Sequence, residues 1–350
     1  MISVKQWIQL IVGATILWTA SPPVNAQESN STPIYTDPPP RVVPLPSERP
    51  NQTSPLANTF QVGALEADYT GSLWVGSHRG LARINPATGV VQSRVNVPNR
   101  FIDAMAQDLV GRIWLGTYSG LVRVDPRINQ ITAQNFRLPS NRVLDMALDG
   151  RGFLWVGTDQ GLAMVSPDRG LLMTTVQELP GTSANALTVD QDGQLWVGTL
   201  TGLVRVDTAS AFVIDRASNI PGRSVQTVTT GPQGQIWAGT SQGLFVFDAA
   251  TGALLRSVTQ MEGKSVTDIA FDETQSLWAG TENGLFKLNP YNGAIVSQVP
   301  NLPSGHILSL ATNVSDKLWV GTTEGLAWVS LTTGRANAHE MFTNQTALTD

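Results

Sequence analysis

The chain has 350 residues and no cysteine, with 22 Lys and Arg against 27 Asp and Glu, for a formal charge of -5. Without cysteine there is no disulfide, no thiolate metal site and no lipidated cysteine anchor. Nucleic-acid binders concentrate Lys and Arg in a stripe, and with no basic run here a nucleic-acid partner is excluded.

Residues 1–26 carry one cation, Lys5, then an apolar stretch from Trp7 to Ala20, and end in Val24-Asn25-Ala26 ahead of Gln27. That order, with small residues at the end, is the pattern of a secretory signal peptide. The apolar stretch is shorter than the roughly 20 residues a membrane span requires and contains Gln9. A cleaved leader is therefore expected, with a mature chain beginning at Gln27, no membrane insertion after cleavage, and a periplasmic or secreted location.

Residues 27–55 are rich in Ser, Asn, Thr and Pro, including Pro38, Pro39 and Pro40 in succession. Such a segment favours extended, polyproline-like conformations and cannot build a core, so it reads as a disordered linker. One piece, Arg41 to Leu45, is apolar enough to lie against the downstream domain as an edge strand, and its Pro44 bars it from the centre of a sheet.

From residue 56 to 345 one phrase recurs, Leu-Trp-Val-Gly-Thr followed by Gly-Leu, written most plainly from Leu195 to Thr199 with Gly202 and Leu203. Its tryptophans are Trp74, Trp114, Trp155, Trp196, Trp237, Trp278 and Trp319, spaced by 40 residues once and by 41 five times. A fixed period of that length signals a repeat architecture. Within each copy Leu195 and Val197 share one strand face and Trp196 and Gly198 the other, and both faces are apolar or small. Six residues before each Trp stands a turn former: Asp68, Asp108, Asp149, Asp190 and Asp272, with Gly231 and Asn313 in the other two copies.

A strand precedes that turn, as at Val143 to Leu148, a third follows the Gly-Leu, as at Leu203 to Asp207, and a weaker fourth closes the period, as at Leu254 to Thr259. Four-stranded antiparallel sheets with two apolar faces are stable only when stacked, and radial stacking buries each face on a neighbour. The fold class is therefore all-β, a seven-bladed β-propeller of four-stranded antiparallel blades. Each blade Trp buries about 150–250 Å², on the order of 4–6 kcal/mol gross. The Gly two residues after the Trp leaves room for close backbone approach, and the second Gly suits a hairpin position with positive φ.

The run from the turn Asp through Leu-Trp-Val-Gly-Thr to Gly-Leu resembles the two-component regulator propeller repeat, in seven in-register copies. The resemblance implies a ligand-binding, sensor-type propeller of the kind found in the periplasmic region of hybrid signalling kinases. The kinase, the transmembrane helix and the β-sandwich module of a full hybrid sensor are not seen in this sequence, so a sensor here would need a partner protein to relay its signal.

In such a blade the loop entering the inner strand and the loop between the second and third strands share one rim. The entry loops supply Arg100, Arg142, Arg223, Lys264 and His306, and the second loops supply His78, Tyr118 and Glu324 among others. These positions vary between copies while Trp and Gly do not, as a shared scaffold with one composite site would show. Hydrogen-bonding and aromatic groups on a rim suit a glycan, a small polar ligand or a partner protein. The cations suit carboxylates or sulfates.

The repeated aspartates are read as turn caps, and neither a metal nor a cofactor is expected. A second reading is catalytic: His78, His306 and Glu324 fall on blades that adjoin in a closed ring, and streptogramin lyases are also seven-bladed, although their longer motifs are missing here. A third is a purely structural scaffold. The expectation is an exported, monomeric, non-catalytic binding propeller.

Overall fold

A computed structural model describes residues 60–97, 101–134, 136–217 and 220–343. Chain contacts divide the protein into Met1–Gln52 and Thr53–Asp350, and every described residue belongs to the second unit. The expected signal peptide at 1–26, the linker at 27–55 and Arg100 lie outside the described residues.

Seven four-stranded sheets follow one another along the chain, each made of consecutive antiparallel strands. Their inner strands are Val62–Ala67, Ile102–Gln107, Val143–Leu148, Ala186–Val189, Val225–Thr230, Val266–Phe271 and Ile307–Ala311. Each inner strand packs on the next, and the last packs on the first, so the sheets close into a ring. The second strands are the core: all five residues of Leu195–Thr199 are buried, as are their counterparts in the other blades. None of the seven tryptophans is more than 2% exposed.

The six-residue spacing from Asp to Trp has a second cause beyond the turn. Asp190 Oδ1 accepts the backbone N–H groups of Asp192 and Gln194, while its Oδ2 accepts the Trp196 indole N–H at 2.8 Å. Asp68, Asp108, Asp149 and Asp272 accept the indoles of Trp74, Trp114, Trp155 and Trp278 at 2.9 to 3.2 Å. Blades five and seven lack the Asp, and there the buried indole nitrogens of Trp237 and Trp319 have no hydrogen-bond partner. Asn313 instead accepts the Glu273 N–H of blade six.

Close stacking explains the glycine two residues after the Trp. A Cβ on Gly198 would lie 2.6 Å from Val225 Cγ1 of the next blade, and one on Gly321 would lie 2.6 Å from the Val62 carbonyl of blade one. Side chains there would force neighbouring blades apart.

Blade seven draws its outer strand, Ala336–Thr343, from its own copy, close to the stretch Arg335 to Met341 expected from the sequence. Among the described residues the ring is closed by packing and side-chain bonds, with no exchanged strand. His339 Nε2 lies 2.7 Å from the Gly89 carbonyl, and the Lys317 ammonium donates to the carbonyls of Pro86 and Ala87 at 2.7 and 3.0 Å. Phe342 is buried in the cluster that joins Val62 and Leu73 of blade one to Trp319 and Leu326 of blade seven.

Candidate functional site

Strand order places the entry loops and the loops between second and third strands on one rim, around the mouth of a channel lined by all seven inner strands. The channel encloses about 230 Å³, with polar walls from Asp103, Asp145, Asn185, Gln226, Asp268 and Ser309.

On the sector formed by blades one to three, this rim carries a continuous row of side chains. The His78 ring meets Phe101 edge-on at 4.4 Å between centroids, Phe101 meets Tyr118 at 6.5 Å, and the Arg142 guanidinium stands over the Tyr118 ring at 4.7 Å. Phe101 and Tyr118 remain 49% and 54% exposed. Edge-on contacts lock the rings against each other and leave faces open to solvent. Arg142 is exposed and forms no ion pair among the described residues.

Asp103 stands just inside the mouth. Burial pushes its carboxyl above the usual carboxylate range, against the opposing pull of the Arg142 and His78 charges.

Three carboxyls of the inner strands bridge neighbouring blades, Asp145 and Asp268 from the channel wall and Glu66 from outside it. Asp145 of blade three accepts the Leu187 N–H of blade four at 2.6 Å, and Asp268 of blade six accepts the Leu310 N–H of blade seven at 2.7 Å. Glu66 of blade one accepts the Gln107 N–H of blade two. Burial drives Asp145 up to about 7 and Asp268 to about 6, although the backbone N–H bonds to each pull the other way. Burial also lifts Glu66 to about 7, with the Asp145 and Asp68 charges adding to the rise and the Gln107 bond opposing it. The channel is thus lined by carboxyls, from Asp103 at its mouth to Asp145 and Asp268, under a rim that carries cations.

Of the rim residues singled out from sequence, the fold brings His78, Tyr118 and Arg142 together. Arg223 is exposed, has φ of 52° and donates its backbone N–H to Ile220. The Lys264 ammonium lies 5.2 Å from the Phe286 ring centroid. His306 is fixed by its N–H to Ser304 Oγ and by its carbonyl to the Thr323 N–H, and Glu324 is exposed. These four make no hydrogen bond, ion pair or ring contact with the row. Among the described residues no group of three His, Cys, Asp or Glu is placed to share a metal ion.

Phe101 and Asp103 were missed by the sequence reading. The signal was available: Phe101 stands 13 residues before its blade Trp, the same position as Arg142 and His306.

The two-component regulator propeller model matches residues 137–160 and 178–201. Among curated proteins none matches significantly. Of solved structures, the extracellular domain of BT4673 from B. thetaiotaomicron, assigned as a one-component system, is similar with a TM-score of 0.67 at 22% identity. That likeness covers 78% of this chain and 38% of the other. The extracellular domain of BT3049 from the same organism, assigned as a hybrid two-component system, is similar with a TM-score of 0.65 at 21% identity, covering 80% of this chain and 40% of the other. The chain thus spans about two fifths of the length of those structures. Two of its repeats match that model, and the seven together form a β-propeller similar in fold to those extracellular domains.

Proposed function

We propose that this is an exported, non-catalytic binding propeller of sensor type, which takes a glycan or other small polar ligand on the rim sector of blades one to three. The carrying observation is the row His78, Phe101, Tyr118 and Arg142, whose two half-exposed rings and unpaired guanidinium sit above a polar channel mouth. Aromatic faces receive the apolar faces of ring-shaped ligands, and a few convergent polar groups fix orientation. Export is supported by the leader pattern of residues 1–26 and by the extracellular origin of the similar structures. Among the described residues no helix is long and apolar enough to cross a membrane.

A thermal-shift screen of the mature protein against saccharides and small polar metabolites, with and without divalent metal, tests the reading, because a ligand that binds the folded state raises the melting point by mass action. A shift abolished by Tyr118→Ala and retained by His306→Ala is expected. Turnover of a hit that disappears with His306→Ala at an unchanged melting temperature would overturn the binding reading in favour of an enzyme.

A further inference from the structure

Five arginines of this propeller are held by carboxylates. Arg83, Arg112 and Arg151, near the turns on the face opposite the rim, are held by Asp68, Asp108 and Asp149, the same carboxylates that accept the blade indoles. Arg205 and Arg127 are likewise paired, with Asp215 and Asp125. Their charge is used in packing. Arg142 on the rim is exposed and, like Arg223, has no ion pair among the described residues; its guanidinium stands over the Tyr118 ring at 4.7 Å. A guanidinium laid on an aromatic face keeps its outward N–H fork free for a carboxylate.

The surroundings restrict where an anion can go. Asp103, Asp145 and Asp268 line the channel from its mouth inward and no cation does, so within this sector a negative ligand group is drawn to Arg142 rather than to the axis. At the 8–10 Å scale over which salt leaves charges interacting, that contrast orients a ligand. Its acid group sits outward over Arg142, its ring face lies on Phe101 and Tyr118, and a hydroxyl points inward to Asp103.

We propose that this sector is selective for a carboxylated saccharide ring, a hexuronate unit within an oligosaccharide. The proposal rests on the binding role given above and adds the charge of the ligand to it. A neutral hexose presents the same ring face and leaves the guanidinium unused. A flat aromatic acid engages both but offers no hydroxyl to Asp103.

The test is isothermal titration of the mature protein with trigalacturonate, with its neutral counterpart β-1,4-galactotriose, and with benzoate, repeated on Arg142→Gln and Tyr118→Ala. The wild type should prefer trigalacturonate to galactotriose by at least about tenfold, the worth of one charge-assisted bond. Arg142→Gln should erase the preference, and Tyr118→Ala should weaken both saccharides. Raising the salt should weaken trigalacturonate alone. Galactotriose bound as tightly as trigalacturonate, with both lost in Tyr118→Ala, would overturn the acid selectivity while leaving the rim as a binding site. Benzoate matching trigalacturonate, trigalacturonate affinity unchanged in Arg142→Gln, or no binding by any of the three would each overturn the proposal.

Discussion

At the scale of single residues, the Asp six positions before five of the seven blade tryptophans performs two tasks with one carboxylate: it closes a turn and satisfies a buried indole. Asp190→Ala should therefore cost about 2–3 kcal/mol, because it strands the Trp196 N–H together with two turn N–H groups, and urea unfolding would measure it. Asp190→Asn keeps one acceptor oxygen and should cost about half as much. Trp196→Ala should cost more than either, about 3–5 kcal/mol, through the cavity left between blades; a variant melting within a degree or two of wild type would refute the packing described. Asp68 and Asp272 carry the same logic into pH. Burial works to raise both, but hydrogen bonds from Thr70, Ser72 and Trp74, and from Thr274, Trp278 and Ser276, with the Arg83 and Lys287 charges, hold them below the ordinary range. Their stabilisation is present above the unfolded-state pKa near 4 and is lost as pH falls through the lower folded value. The turn was legible from sequence because Asp followed three residues later by Gly, as at Asp68, Asp108, Asp149 and Asp190, is a local signal. The indole bond was not, since it depends on the hairpin folding back over six residues.

At the scale of the strand, the inner element of each blade is where repeat logic gives way to individual chemistry. Its partner, the Leu-Trp-Val-Gly-Thr strand, was readable in full because burial on both faces fixes every position. The inner strand faces the channel on one side and tolerates Asp103, Leu144, Asn185, Gln226 and Thr267 at one equivalent position, so single-sequence reading had no reason to single out any of them. The carboxyls there give the strand its own pH response. Glu66 is lifted to about 7 in the fold against 4.5 when unfolded, so the folded state holds the proton more tightly. That stability is fully present below the unfolded value and drains away as pH rises through about 7. Melting temperature should accordingly fall between pH 5 and pH 8, and Glu66→Gln, which cannot titrate and keeps an acceptor for the Gln107 N–H, should flatten that fall. An identical slope in Glu66→Gln would contradict the assignment. The rim site was half legible for the same reason. His78, Tyr118 and Arg142 are polar or aromatic residues in loops that vary between copies, whereas Phe101 passes for a core residue until the fold leaves it in solvent.

At the scale of the whole molecule, seven in-register copies determine blade number, order and the closed ring, while the manner of closure had to be seen. The seam relies on Lys317, His339 and Phe342 reaching blade one rather than on a shared sheet. Phe342→Ala should lower stability by about 3–5 kcal/mol and, in hydrogen exchange, expose the inner strands of blades one and seven before those of blade four. Uniform exchange around the ring would count against a seam of this kind. With the ring closed, one face presents the row from His78 to Arg142 over an acidic channel and the other presents turns where Arg83, Arg112 and Arg151 are already paired. On the proposed function, ligand binding belongs to the first of these faces, at blades one to three. A crystal structure of the mature protein with the tightest ligand from the thermal-shift screen tests this most directly. The predicted result is a ligand ring lying on Phe101 and Tyr118 with a polar group hydrogen-bonded to Arg142. A ligand seated on the opposite face, or held between His306 and Glu324, would contradict it.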